Sequence, residues 1–336
     1  LGRRLGLFQD RGQYDCVVGF SGGKDSSYVL YRLKEHYRAR VLAYTCDNGF
    51  LTPYAKDNIE RLTQNLGVDH VWVRPPAEVL RELYRAGILM EAWPCSACFH
   101  ILGASAYKLA YQHRIPFIIS GRTPEQILRN PTPQLLDGND SLIAANFSEY
   151  DRNRVRVRAL KDIEALHEIK QWLLRDTGLW VRAAEHLYVS LEEAKQAEES
   201  PELLAFFLYE PYDEKKIVAD LEKYTSWQAP DDRSMFAHAD CRAHEAAGYL
   251  YHRTVGTPFL SLELSASIRL GRLSREDWTA LMEKEKLKSS RFPPDSIAEL
   301  ARICAMRETS IRLSPIRVRA MGMLRGLRSY LDTMRS

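Results

Sequence analysis

The stretch Val17-Val18-Gly19-Phe20-Ser21-Gly22-Gly23-Lys24-Asp25-Ser26-Ser27 constrains the fold more than any other part of this chain. A short apolar strand runs into a glycine-rich turn, and a helix opens near Asp25. Such a junction is built to hold an anion. Gly22 and Gly23 are expected to take backbone conformations closed to other residues, so that their N–H groups converge on acidic oxygens. The helix start contributes further N–H groups and the positive end of its dipole. Lys24 adds a full charge, and the hydroxyls of Ser21, Ser26 and Ser27 are expected to bond the remaining oxygens. The competing reading is an ordinary glycine-rich turn between a strand and a helix. Adjacent glycines exclude the commonest phosphate loop, since a Walker A turn needs four residues between its first glycine and Gly-Lys-Ser/Thr.

From Tyr14 to about Ile119 apolar strands alternate with helical stretches, which predicts βαβ units and an α/β, doubly wound, mostly parallel sheet. Strands are expected at residues 16–20, 41–45, 71–73 and 116–119, with helices over 26–37, 53–66 and 98–113. Doubly wound sheets bind ligands outside the carboxyl ends of their strands. The segments starting at Ser21, Cys46 and Gly121 should therefore face one crevice. Between Arg122 and Asp151 the chain is rich in Pro, Asn, Asp and Gln, the composition of a surface loop or lid. Helical periodicity then dominates to the end. The expected domains are 1–150, carrying the sheet, and 151–336, mainly helical, with the boundary near 145–155.

A chain of 336 residues with 45% hydrophobic and 27% charged residues can build a sizeable core. No apolar run approaches the roughly 18 residues of a membrane span, and no signal peptide is evident, so a cytoplasmic protein is expected. Leu1 rather than Met stands first, which leaves room for a preceding segment. The net charge of +3 is too mild to demand a nucleic-acid partner. Its distribution is uneven, because Arg307, Arg312, Arg317, Arg319, Arg325, Arg328 and Arg335 face only Glu308 and Asp332 near the C-terminus. That tail is read either as a grip on phosphates or as the solvated face of a terminal helix whose Ile311, Ile316, Met321, Leu324 and Leu327 pack inward.

Ser21-Gly22-Gly23-Lys24-Asp25-Ser26 resembles the pyrophosphate loop of the PP-loop (N-type) ATP pyrophosphatases, a group with a HUP-like fold. The resemblance implies that ATP is split between its α and β phosphates, AMP is attached to a substrate oxygen and pyrophosphate leaves. By the same resemblance, Ser21, Gly22, Gly23, Lys24, Asp25, Ser26 and Ser27 hold the phosphates, while Tyr44, Thr45 and Asp47 supply the pocket for adenine and ribose. A structural turn at Asn48-Gly49 is the alternative for those three. Gly121 ends the fourth strand, where relatives approach the α-phosphate, and Arg122 is expected to stabilise charge there. Asp25 and Glu125 are carboxylates able to hold Mg²⁺ against the pyrophosphate. The catalytic set implied is Lys24, Asp25 and Arg122.

Six cysteines are too few for a disulfide scaffold in a chain this long. Cys95 and Cys98 form Cys-x-x-Cys at a helix start, where the dipole favours thiolates. Cys241 lies far downstream in His238-Ala239-Asp240-Cys241-Arg242-Ala243-His244. A PP-loop, a central Cys-x-x-Cys and one distant cysteine together resemble the Fe–S-dependent tRNA thiolases of the 2-thiocytidine and 2-thiouridine types. That likeness assigns Cys95, Cys98 and Cys241 as ligands of a [4Fe-4S] cluster with one open iron. Zinc completed by His100, His238 or His244 is the alternative. Cys16, Cys46 and Cys304 read as packing residues. The chain departs from those thiolases after the fourth strand, where Gly121-Arg122-Thr123-Pro124-Glu125 replaces Gly-His and paired acids, and it lacks their cysteine ribbons.

Other stretches are similar to the N-acetyl sugar amidotransferases: Tyr14-Asp15-Cys16-Val17-Val18-Gly19, Phe50-Leu51-Thr52-Pro53, Gly67-Val68-Asp69-His70, Pro94-Cys95-Ser96-Ala97-Cys98 and Leu270-Gly271-Arg272-Leu273-Ser274-Arg275-Glu276. Both likenesses imply adenylation of a carbonyl or amide oxygen. The thiolases then insert sulfur from a sulfur donor, whereas the amidotransferases use ammonia from a glutaminase subunit to form an amidine. The three-cysteine set favours sulfur. A non-enzymatic ATP-sensing module is the third reading. The acceptor is left open among a tRNA, a carrier-bound group and a small molecule, as is a homodimer.

Overall fold

Cys16, Val17 and Val18 are apolar on both faces, the composition of a strand covered by helices on either side. They form β1 (Cys16–Gly19), the middle strand of a five-stranded parallel sheet. The computed structural model describes residues 1–7, 12–129, 147–173, 187–230 and 240–335. Beyond β1 the sheet contains β2 (Val41–Cys46), β3 (Asp69–Val73), β4 (Phe117–Ser120) and β5 (Glu202–Ala205), in the order β3-β2-β1-β4-β5. Val18 stands opposite Ala43 on one side and Ile119 on the other. All neighbours run parallel, so every strand delivers its carboxyl end to the same edge.

A short α1 (Gly2–Gly6) precedes β1, and α2 (Lys24–Tyr31) follows it, continuing into one π-helical turn over Arg32–His36. The next helix, α3 (Pro53–Leu66), has the limits its sequence predicts. Thr52 caps it by accepting from the Ala55 N–H at 3.2 Å, Pro53 occupies the first turn, and Gly67 ends it at φ 56°. Then come α4 (Ala77–Glu91), α5 (Cys95–Gln112), α6 (Pro124–Arg129), α7 (Arg152–Leu173) and α8 (Leu191–Gln196). After β5 every named element is a helix: α9 (Phe206–Tyr209), α10 (Glu214–Tyr224), α11 (His244–Val255), α12 (Ser261–Arg269), α13 (Arg275–Ser290), α14 (Pro294–Cys304) and α15 (Glu308–Arg335). The α/β fold with a mostly helical C-terminal part is as expected.

Two elements correct the sequence reading. The helix α4 was not anticipated, and β5 arises in a region read as helical. Glu202-Leu203-Leu204-Ala205 contains only good helix formers, yet it pairs with β4 along Phe117 to Ser120. Tertiary pairing overrides local preference there. The lid expected over residues 122–150 contains α6, and its residues 130–146 lie outside the described ones.

The chain divides into two units, Leu1–Pro75 with His100–Arg242, and Pro76–Phe99 with Ala243–Ser336. The boundary expected near 145–155 falls within the first. In that unit the alternation along β1 separates two apolar layers. Cys16 and Val18 join Val29, Leu30, Leu33, Ile59, Leu62 and Phe206. Val17 instead joins Leu42, Tyr44, Tyr107, Ile118 and Ile163.

The second unit is helical, with Leu83, Tyr84, Ile88, Leu250, Leu264, Ile297 and Leu300 buried. Its Trp93 lies 5.2 Å from Phe259 between ring centroids. In α15 the inward stripe is Ile311, Ser314, Pro315 and Val318, spaced as one helical face. Ile316 falls off that stripe and is 56% exposed, contrary to expectation; the side chains of Leu324 and Leu327 lie outside the described residues. Among the described residues no helix is long and apolar enough to cross a membrane.

Candidate functional site

In this strand order the chain leaves β1 toward β2 and later returns to β1's other side as β4. The topological switch point therefore lies between the carboxyl ends of β1 and β4. The loop 21–26 follows β1, and Gly121 follows β4. A Cβ on Gly121 would sit 3.4 Å from Val29 Cγ2 and 3.9 Å from Ser26 Cα, so the two segments meet.

Gly22 is the position that demands glycine. Its φ is +76°, and a Cβ there would lie 2.3 Å from the Ala55 carbonyl oxygen of α3. Gly23 departs from expectation, because at φ −73° and ψ 163° it is ordinary extended backbone and serves as the N-cap of α2. A residue with no side chain leaves the first-turn N–H groups of that helix uncapped by it. Hydroxyls tie the loop across its mouth. The Ser21 N–H donates to Ser26 Oγ at 3.2 Å, Ser26 Oγ donates to the Gly23 carbonyl at 3.2 Å, and the Gly23 N–H reaches Ser21 Oγ at 3.4 Å. Ser27, expected beside them, is fully buried and its hydroxyl makes no hydrogen bond.

Lys24 Nζ stands 3.1 Å from both carboxylate oxygens of Asp25 and 3.1 Å from the Tyr212 hydroxyl, with Glu214 at 3.7 Å. Burial works against its charge, but Asp25 and Glu214 outweigh burial and hold the lysine above its usual value. It stays cationic at neutral pH. Arg122 instead folds onto α6 and donates to the Gln126 carbonyl at 2.5 Å, while its N–H reaches Ser120 Oγ at 3.3 Å. Glu125 is buried in the same helix.

The residues expected at an adenine and ribose pocket are placed differently from one another. Tyr44 and Thr45 are each 2% exposed and use their hydroxyls inside the fold. Tyr44 donates to the Leu102 carbonyl at 2.9 Å, and Thr45 donates to the Phe20 carbonyl at 2.5 Å. What these two offer a ligand is backbone. Thr45 Oγ1 is also 2.8 Å from His70 Nε2. With the hydroxyl proton already given to Phe20, the histidine donates through Nε2. Burial, with help from Arg74, pushes His70 down to about 4, so that ring is neutral. Asp47 is half-buried and closes the turn by accepting from the Gly49 N–H at 3.3 Å.

Several residues at the loop escaped the sequence reading. Asn58 Nδ2 donates to the Gly22 carbonyl at 3.3 Å and to the Gln228 carbonyl at 3.1 Å, while its Oδ1 accepts from the Gln228 N–H at 3.0 Å. Trp227 Nε1 adds a second bond to the Gly22 carbonyl at 3.2 Å. Asn58 had a readable signal, since it sits on the apolar stripe Ala55, Ile59, Leu62, Leu66 of α3. Tyr212, Glu214 and Trp227 had none, being far away in sequence.

The cysteines fall into both units. Cys241 belongs to the first, where it bridges Leu51 in antiparallel fashion. Arg242 beside it donates to the Leu51 carbonyl at 2.8 Å, and a Cβ on Gly23 would sit 3.5 Å from Asp240 Oδ2. Residues 240–242 thus line the edge that carries the loop. Cys95 and Cys98 belong to the second unit, one turn apart at the start of α5 and partly exposed. Cys98 Sγ lies 3.0 Å from the Tyr84 hydroxyl. Among the described residues no group of three or more His, Cys, Asp or Glu side chains is arranged to hold a metal. His100, a zinc alternative, is buried against the Tyr188 hydroxyl, and His238 lies outside the described residues. Cys16 and Cys304 are buried, as packing residues should be, and burial pushes Cys304 up to about 12.

No family model matches the chain. An uncharacterized protein of Methanocaldococcus jannaschii is 27% identical over 115 residues, 34% of this chain and 40% of the relative. A probable sulfurtransferase of the same organism is 28% identical over 153 residues, 40% of this chain and 43% of the relative. The chain spans about two fifths of the length of these relatives. Among solved structures it is similar to the U34-tRNA thiolase NcsA from Methanococcus maripaludis with its [4Fe-4S] cluster, at TM-score 0.37 and 14% identity, covering 90% of this chain and 86% of that one. It is also similar to NMN synthetase from Francisella tularensis, at TM-score 0.31 and 12% identity, covering 75% and 92%. The parallel sheet, with Ser21-Gly22-Gly23-Lys24-Asp25-Ser26 at the end of its middle strand, gives the chain a PP-loop, HUP-like fold.

Proposed function

We propose that this protein is an AMP-forming ATP pyrophosphatase that adenylates a carbonyl or amide oxygen and replaces that oxygen with sulfur. The observation that carries the reading is the loop itself, with Gly22 forced left-handed against α3 and Lys24 cationic beside a helix start at the switch point. A substrate oxygen attacks the α-phosphorus, the bond to the bridging oxygen breaks, and pyrophosphate leaves. A sulfide then adds to the adenylated carbon, and AMP departs with the former substrate oxygen. Lys24, Ser21, Gly22, Gly23 and Ser26 hold the leaving pyrophosphate. Arg122 serves the α-phosphate once its guanidinium leaves Gln126. Asp25 and Glu125 are carboxylates suited to Mg²⁺, which would offset pyrophosphate charge.

Cys95 and Cys98 suit a soft metal group, being two partly exposed thiols on one helical face in a first turn. A [4Fe-4S] cluster held there would, when bound, supply an open iron site for a sulfur donor. The similarity to a probable sulfurtransferase supports sulfur as the transferred atom.

Incubation with ATP and Mg²⁺ should yield AMP and pyrophosphate in the presence of acceptor, and Lys24→Ala should abolish this while leaving the circular dichroism spectrum intact. An unchanged rate would remove the nucleotide role. Anaerobically prepared protein should show broad visible absorption that Cys98→Ala loses. Colourless, zinc-loaded protein that makes an amidine would transfer the assignment to ammonia chemistry. A tRNA acceptor would show as binding that weakens steeply with salt.

A further inference from the structure

The Lys24 side chain ends among groups that the pyrophosphate loop itself does not contain. Tyr212, just before α10, places its hydroxyl 3.1 Å from Lys24 Nζ, from which it accepts, and 3.1 Å from Asp25 Oδ1, to which it donates. Its ring is anchored edge-on against Phe207 at 5.0 Å, and Phe207 stacks on Tyr28 of α2 with planes 7° apart. Tyr28 lies one turn beyond Lys24 on that helix, so tyrosine and lysine are positioned from the same element. Burial, reinforced by Asp25 and Glu214, pushes the phenol far above its ordinary value, so it keeps the proton it gives to Asp25.

We propose that Tyr212 is the positioning residue for Lys24, holding the ammonium at the loop so that it meets the outer phosphates of a bound nucleotide already placed. The inference rests on the nucleotide reading above and adds a residue to it. Lysine has large rotamer freedom, which would otherwise be lost when phosphate binds. Asp25 alone cannot fix it, because an adjacent residue on the same backbone moves with it. Glu214, at 3.7 Å, offers charge without a close hydrogen bond. The phenol therefore supplies direction, and the carboxylates supply charge.

The test is Tyr212→Phe, which keeps the ring on Phe207 and removes only the hydroxyl. Binding of Mg-ATP and of pyrophosphate should weaken about tenfold, the usual scale for one hydrogen bond to a charged group. AMP binding, which lacks the outer phosphates, should be unchanged, as should the thermal midpoint. In the nucleotide-free protein, acetylation of Lys24 followed by mass spectrometry should rise several-fold. Unchanged Lys24 labelling, unchanged ATP binding, or equal loss of ATP and AMP binding would overturn the role. If the wild-type protein binds neither ATP nor pyrophosphate, the nucleotide reading falls, and the labelling still decides whether Tyr212 holds the lysine.

Discussion

At Gly22 the sequence and the structure agree for a reason that can be measured. An L-residue at φ +76° costs roughly 1–2 kcal/mol from its own Cβ, and the 2.3 Å approach to the Ala55 carbonyl adds a clash that only backbone movement relieves. Gly22→Ala should lower the urea midpoint and abolish nucleotide binding together. Gly23→Ala, at an extended φ, should leave the midpoint nearly unchanged. The motif made the two glycines look equivalent, and only dihedral angles separate them. The same holds for the serines, since Ser26 stitches the loop while Ser27, next in sequence, is swallowed by the core. Residue type announced an anion cradle, but the helical rotation of 100° between neighbours decided which hydroxyl faces it.

Among elements, α3 shows how far local rules reach. Its cap, its proline and its terminal glycine are all local, so its limits were legible. Its task was not, because Asn58 works by joining the loop to residues 227–228. Asn58→Leu should cost about 1–3 kcal/mol, the scale of depriving the partly buried backbone groups of Gln228 of their partner. Urea unfolding checks this, and a loss below about 0.5 kcal/mol, as at an ordinary surface site, would show that the bridge carries little. For β5 the local signals pointed the wrong way. Four helix-favouring residues become a strand because β4 presents an open row of N–H and C=O groups beside them.

For the whole molecule, a buried and a half-buried titrating group of the first unit oppose each other. Asp162 is raised to about 6, chiefly by burial, against the lowering effects of Tyr107 and Arg158. Its folded form retains a proton that the unfolded chain loses, so stability falls as pH rises from about 4 to 6, by roughly 3 kcal/mol at most. His70, lowered to about 4, has the reverse effect, because stability falls as pH drops below its ordinary value toward 4. Asp162→Asn keeps an acceptor for the Tyr107 hydroxyl and removes the first effect. Its stability should exceed wild type at pH 7 and match it near pH 3.5, as read from urea midpoints. Equal midpoints at pH 7 would show that Asp162 is not destabilised by burial.

The sequence by itself determined the strand, the glycine turn and the helix start, because those depend on backbone sterics and periodicity over a few residues. Sheet membership of residues 202–205, the burial of Tyr44, Thr45 and Ser27, and the company of Lys24 were decided only by tertiary structure. Each of these depends on which distant segment comes to lie alongside, as Tyr212 does 188 positions from Lys24. That pairing is set by the packing of the whole sheet and its helices, and no local window of the chain encodes it.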